Sequence, residues 1–160
     1  MAVSTSKKVV VQRFDREPLR GFVNPQTYLR ASGLELLSTN GVLVQVPFED
    51  VKAVCFVRDF STDEPPEKRT FLSRPKANGL WVRLRFRDGE VIDGLLPNNL
   101  LQWEAQGYTF VPPNPSSNNQ KVFVPRAAVT EVQVLAVVGS PLRTSRARGR
   151  PRAEQMGLFE

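Results

Sequence analysis

Hydrophobic and polar positions along this chain alternate in short runs and change phase at turn residues. That is the pattern of half-buried β-strands, not of helices. It is clearest after residue 80, where Trp81, Arg83 and Arg85 fall on one face and Val82, Leu84 and Phe86 on the other. "RDGE" at 87–90 then carries the Asp-Gly hairpin signal. The same succession of runs occurs twice. "VVVQRFDREPLRGFV" (9–23) aligns with "VRLRFRDGEVIDGLL" (82–96) at an offset of 73, which places Asp15 on Asp88, Glu17 on Glu90, Leu19 on Ile92 and Gly21 on Gly94. "GLEL" (33–36) aligns with "GYTF" (107–110) at 74, and "VQVPFEDVKAVCFV" (44–57) with "VFVPRAAVTEVQVL" (122–135) at 78. The offset drifts only across connections, where insertions are tolerated. The chain is therefore read as a duplicated unit of about 50–55 residues.

Each unit predicts five strands. They cover 9–14, 19–23, 34–38, 43–46 and 52–57 in the first unit, and 81–87, 91–96, 108–111, 122–124 and 130–137 in the second. Gly21 and Gly94 sit in mid-strand, where glycine marks a bulge or sharp bend. One helical turn fits within 98–107, and the Pro, Asn and Ser of 112–120 predict a loop. The boundaries that follow are unit 1 at 7–58, a charged, proline-containing linker at 59–79, unit 2 at 80–138, and a basic tail at 139–160 expected to be disordered.

Composition narrows the chemistry. The 160 residues include no histidine and one cysteine, so the usual triads, intrachain disulfides and thiolate metal clusters are excluded. We expect no enzyme, no metal and no cofactor. No apolar run approaches the roughly 20 residues of a membrane span, so a cytoplasmic protein without a membrane partner is expected. Net charge is +6, and half of it falls in residues 141–160, where five arginines face two glutamates. A basic tail on a nearly balanced body points to a polyanionic partner, or simply to solubility.

A bent second strand with central glycine, a Gly-apolar-x-apolar third strand and a short turn between two closing strands resemble the Sm-like small barrel, the family of Sm and Hfq-type RNA-binding proteins. The resemblance implies an all-β fold of two tandem five-stranded Sm/SH3-like small barrels, with homo-oligomers formed through strand edges. It does not carry RNA binding with it. "FVNPQTYL" and "LLPNNLLQ" lack the family's Asp-x-x-x-Asn, and "VPFEDV" and "VPRAAV" lack its signature before the last strand. The chain also resembles an uncharacterised bacterial family of tandem small-barrel proteins. Arg16 and Arg20, with Ser38 and Gly41, match part of the PilZ pattern for cyclic di-GMP, but Leu36 stands at its acidic or amide position.

Within the body, Cys55 in "AVCFV" reads as a buried thiol. Trp103, in a loop with Asn98, Asn99 and Gln102, is the residue best placed to stack on a base, with core packing as the alternative. Arg83, Arg85 and Arg87 share a strand face, either solvated or a phosphate-contacting ridge.

The tail carries two motifs. "RGRPR" (148–152) resembles the AT-hook core. The resemblance implies that Arg146, Arg148, Gly149, Arg150, Pro151 and Arg152 bind DNA in the narrow minor groove of A·T-rich tracts. "QMGLF" (155–159) resembles the peptide that binds the bacterial sliding clamp. It implies Gln155 as the hydrogen-bonding anchor, with Met156, Leu158 and Phe159 filling an apolar cleft; Gly157 departs from the usual Ser or Asp. The expectation is a DNA-associated accessory or adaptor protein whose barrels serve as a scaffold and whose tail tethers it to DNA or the clamp. The alternatives are a protein-interaction or nucleotide-sensing PilZ-like module, and an RNA-binding Sm-like protein.

Overall fold

The computed structural model describes residues 6–60, 70–71, 74–113 and 119–139. Ten strands follow in order: β1 (Lys7–Arg13), β2 (Arg16–Val23), β3 (Gly33–Ser38), β4 (Leu43–Pro47), β5 (Val51–Val57), β6 (Gly79–Phe86), β7 (Val91–Leu96), β8 (Gly107–Phe110), β9 (Asn119–Pro125) and β10 (Val129–Val138). Single 3₁₀ turns occupy Phe48–Asp50, Leu100–Gln102 and Arg126–Ala128. The first and third are the "FED" and "RAA" connections between fourth and fifth strands. The second is the helical turn expected within 98–107.

The strands form two antiparallel sheets. One has the order β4-β3-β2-β1-β5-β9-β8 and the other β10-β6-β7. Neither closes into a barrel. The fold is thus all-β as expected, but two separately closed five-stranded barrels are not what the pairing gives. The reason lies in two connections. β5 takes β9 as its second neighbour, which carries the first sheet into the second half of the chain. The link from β7 to β8 shrinks to a single bridge between Leu95 and Val111.

The pairing nevertheless repeats residue by residue. Val9↔Gly21 in β1·β2 has its counterpart in Val82↔Gly94 in β6·β7. Val54↔Val11 in β5·β1 corresponds to Val132↔Leu84 in β10·β6. Leu36↔Val44 in β3·β4 corresponds to Phe110↔Val122 in β8·β9. The Phe22↔Leu37 pair of β2·β3 becomes the Leu95↔Val111 bridge. Every counterpart falls at the offsets of 73, 74 or 78 read from the sequence.

The mid-strand glycines explain how the second strand bends against the third. A Cβ on Gly94 would lie 2.2 Å from the Phe110 ring, and one on Gly21 would lie 2.5 Å from the Leu37 carbonyl oxygen. Both positions need the absence of a side chain, not an unusual backbone angle. Gly94→Ala is therefore expected to displace the buried Phe110 ring and to lower stability by about 1–3 kcal/mol. A urea titration reads this as a lower midpoint with an unchanged slope.

Two apolar cores result, and β5 belongs to both. Val54 and Phe56 pack into the first, with Val9, Val11, Tyr28, Leu34, Leu36 and Val46. Ala53, Cys55 and Val57 pack into the second, with Val82, Leu84, Phe86, Leu96 and Phe110. A strand buried on both faces reads as a continuous apolar run, as "AVCFV" does. β9 returns the exchange: Phe123 enters the first core, and Val122 and Val124 enter the second. Cys55 is buried, as expected.

Candidate functional site

Charged residues converge first where the two halves meet. Lys52, on β5, reaches Asp88 at 2.8 Å and also bonds Glu90; both acids lie in the hairpin between β6 and β7. Its Nζ stands 5.0 Å from the centre of the Phe86 ring and 5.9 Å from that of Phe14. Burial disfavours the ammonium charge, but the bonds to Asp88 and Glu90 outweigh it and hold Lys52 above the ordinary lysine value. Beside it, the Arg87 guanidinium lies 3.9 Å from the centre of the Phe14 ring and donates to the backbone carbonyls of Glu49 and Ala127. The cluster fastens the second hairpin to the first unit.

The second cluster centres on Asp93, a fully buried carboxylate on β7. Arg83 donates to it with two nitrogens, at 2.7 and 3.0 Å. The Trp81 indole N–H and the Phe71 backbone N–H each donate at 3.2 Å. Burial alone would raise the carboxyl pKa. Arg83, Trp81 and Phe71 overcome it and hold Asp93 below the usual carboxylate range. Phe71 also packs edge-on against Trp81, so this acid ties a linker residue to the three-stranded sheet. Four donors converge on the carboxylate, one at Oδ1 and three at Oδ2, which is the arrangement of a structural acid.

The third feature is a cavity of about 320 Å³ beside β7 and β8. Leu95, Leu96, Phe110 and Val111 form its apolar wall, and Asn78, Gln102, Glu104, Thr109 and Lys121 its polar rim. The Thr109 hydroxyl donates to Glu104 at 2.7 Å. Amides, one carboxylate and one ammonium around an apolar floor can bind a small polar ligand by hydrogen bonds.

Trp103 lies on the loop that borders this cavity, but packs against the second core instead of facing outward. Its indole N–H donates to the Pro97 carbonyl at 2.9 Å, and its ring meets Tyr108 edge-on. Asn99 caps the 3₁₀ turn through the Leu101 N–H. The loop residues that do line the cavity are the neighbours of Trp103, Gln102 and Glu104. Sequence reasoning missed Glu104, Thr109 and Lys121, because only the meeting of β8, β9 and this loop brings them together.

The arginines of the β6 face are committed to the protein itself. Arg83 binds Asp93, Arg85 lies 3.5 Å from Glu131, and Arg87 spans the junction. Arg13, Arg30, Arg74 and Arg126 likewise bond protein carbonyls, a carboxylate or a phenol. Leu36, at the PilZ motif's acidic position, is fully buried in the first core, while Arg16 and Arg20 are exposed. The DNA-binding expectation on Arg146, Arg148, Gly149, Arg150, Pro151 and Arg152, and the clamp-binding expectation on Gln155, Met156, Leu158 and Phe159, lie outside the described residues. Among the described residues no group of three His, Cys, Asp or Glu could hold a metal ion.

The model of one protein family, described as "Family of unknown function (DUF6982)", matches residues 5–136. No curated protein matches the chain, and no solved structure does.

Proposed function

We propose that this chain, which belongs to the DUF6982 family of unknown function, is a non-enzymatic, DNA-associated accessory or adaptor protein. Its two β units, with the small-barrel character read from the sequence, act as a scaffold. Its C-terminal segment acts as the tether. Arg148, Arg150 and Arg152 enter the minor groove of A·T-rich DNA, and Gln155, Met156, Leu158 and Phe159 fill the cleft of the sliding clamp. Two weak attachments on one segment reinforce each other by effective concentration.

The observation that carries this reading is the distribution of positive charge along the sequence. The body's arginines are largely occupied by carboxylates, carbonyls and aromatic faces. The arginines at 143–152 stand among few acids, in a motif whose spacing suits the minor groove. Among the described residues, strand pairing ends at Val138.

Two measurements test the two attachments separately. The full chain is expected to bind A·T-rich duplex more tightly than G·C-rich duplex. A chain with Arg148→Ala and Arg150→Ala is expected to lose that preference and roughly a hundredfold in affinity, the scale of two lost charge-assisted contacts of about 1.5 kcal/mol each. Equal affinity for both duplexes refutes the hook. A labelled peptide of residues 153–160 is expected to gain fluorescence polarisation on adding the clamp, and its Phe159→Ala version is not. Identical responses from the two peptides refute the clamp attachment.

A further inference from the structure

The chain contains one junction between its two five-strand units and leaves both surfaces of a second such junction at its ends. Inside the chain, the fifth strand of the first unit, β5, pairs with the fourth strand of the second, β9. The fourth strand of the first unit, β4, is the outer strand of the seven-stranded sheet. The fifth strand of the second unit, β10, is the outer strand of the three-stranded sheet. Because the pairing repeats residue by residue, these two edges are copies of the two that already pair.

Burial shows the consequence of leaving them apart. Phe56 and Val57 on β5 are 6% and 7% exposed, whereas their counterparts Val134 and Leu135 on β10 are 55% and 36% exposed. On the other surface, β9 buries Val122 and Phe123, whereas their counterparts on β4 are a half-buried Val44 and an exposed Gln45; Leu43, the counterpart of the exposed Lys121, is 62% exposed. Val42 and Leu37 add to the same exposed apolar margin. Open, apolar strand edges are templates for another strand.

We propose that β10 of one copy of this chain pairs antiparallel with β4 of a second copy, reproducing between chains the β5·β9 junction within each. The inference rests on the body alone and is independent of the tail. The internal register transfers directly. Val54↔Phe123, Cys55↔Val122 and Phe56↔Lys121 become Val132↔Gln45, Gln133↔Val44 and Val134↔Leu43. The two most exposed of these apolar side chains, Leu43 and Val134, thereby cover each other. Arg74 already donates to the Val137 carbonyl at 2.8 Å, which ends the available edge beyond Leu135.

The two junctions differ in strength. Glu131 and Gln133 replace Ala53 and Cys55, and Gln45 replaces Phe123, so less apolar area is buried between chains than within one. The assembly therefore dissociates on dilution while the internal junction persists. It is also heterologous: it closes into a ring or extends as a fibre according to the rotation per chain.

Sedimentation velocity on the full-length protein tests this. Wild type is expected to form species of several chains that give way to the single chain of 18.0 kDa on dilution. Leu43→Asp and Val134→Asp each place a carboxylate opposite an apolar side chain at an exposed position of one edge, and each alone is expected to sediment as a single chain; aspartate is chosen because lysine already stands at the Leu43 position of the internal junction, as Lys121 opposite Phe56. Mixed in equal amounts, they are expected to form a one-to-one dimer, since each retains the edge the other lacks. Wild type that stays a single chain at every concentration overturns the proposal. So does a single variant that still self-associates, because that requires like edges to pair, and so does a mixture that stays monomeric. A cysteine pair checks the register without charged variants. A Leu43→Cys chain and a Val134→Cys chain are expected to cross-link on oxidation when mixed, and not when alone. Cross-linking of either alone also overturns it.

Discussion

Phe123→Ala is expected to destabilise the protein by about 3–5 kcal/mol, the range for truncating a fully buried phenylalanine. That is a large part of the 5–15 kcal/mol typical of a whole domain. The ring has no solvent exposure. Its position makes the effect informative. Phe123 belongs to the second unit by sequence, yet it packs in the core of the first, edge-on to Tyr28 at 6.1 Å and tilted against Phe48 at 6.4 Å. Burial, with the Glu104 charge adding to it, pushes the Tyr28 phenol above its ordinary value. In the variant, the Tyr28 titration is expected to move back toward that of free tyrosine as its cover is lost. A urea titration followed by ultraviolet pH titration of the folded protein checks both parts. A small stability change, or a Tyr28 titration that does not move, is incompatible with a core shared in this way.

Arg83→Ala is expected to cost on the order of 3 kcal/mol, the low end of what breaking a buried ion pair costs. The low end applies because the Arg83 side chain is 40% exposed and the N–H groups of Trp81 and Phe71 still reach the acid. The damage comes less from the lost attraction than from a fully buried Asp93 carboxylate left undercompensated. The pH dependence follows in sign. Asp93 titrates below its unfolded value of about 3.9, so its contribution is present above that pH and is lost as pH falls through the lowered native value. Without Arg83 the native value rises, and acid unfolding is expected to begin at higher pH than in wild type. Asp93→Asn, which removes the charge but keeps the shape, is expected to be milder and to flatten this part of the pH profile. Circular dichroism across an acid titration of the three proteins separates these outcomes.

How much was legible in advance depends on the range of the forces involved. The strands were, because period-two alternation and turn residues are local: the expected strand over 91–96 is β7 to the residue, and the others differ by a few positions at their ends. Strand ends are harder, since fraying is set by neighbours. The glycines were legible as bends, but their partners, Phe110 and the Leu37 carbonyl, were not. Trp103 shows the opposite case. Its surroundings of Asn and Gln left base stacking and core packing both open, and Tyr108 and the Pro97 carbonyl, both brought in by folding, give it a packed place. Asp93 carried a usable signal, a lone charge inside the otherwise apolar "VIDGLL". Its donors Arg83 and Trp81 are on the neighbouring strand, at and near the directly paired position.

The duplicated unit, the strand content and the concentration of positive charge near the C-terminus were determined by the sequence alone, because each depends on residues close together or repeated at fixed spacing. Which strand lies beside which at the junction was decided only by the tertiary structure. Self-contained units and exchanged neighbours have the same local pattern. They differ only in long-range burial, in whether β9 covers β5. The run "AVCFV" must bury both its faces, and it finds the second cover in the other half of the chain. Among the described residues, that choice leaves β4 and β10 as outer strands without a second neighbour, while β7 and β8 meet through the Leu95–Val111 bridge.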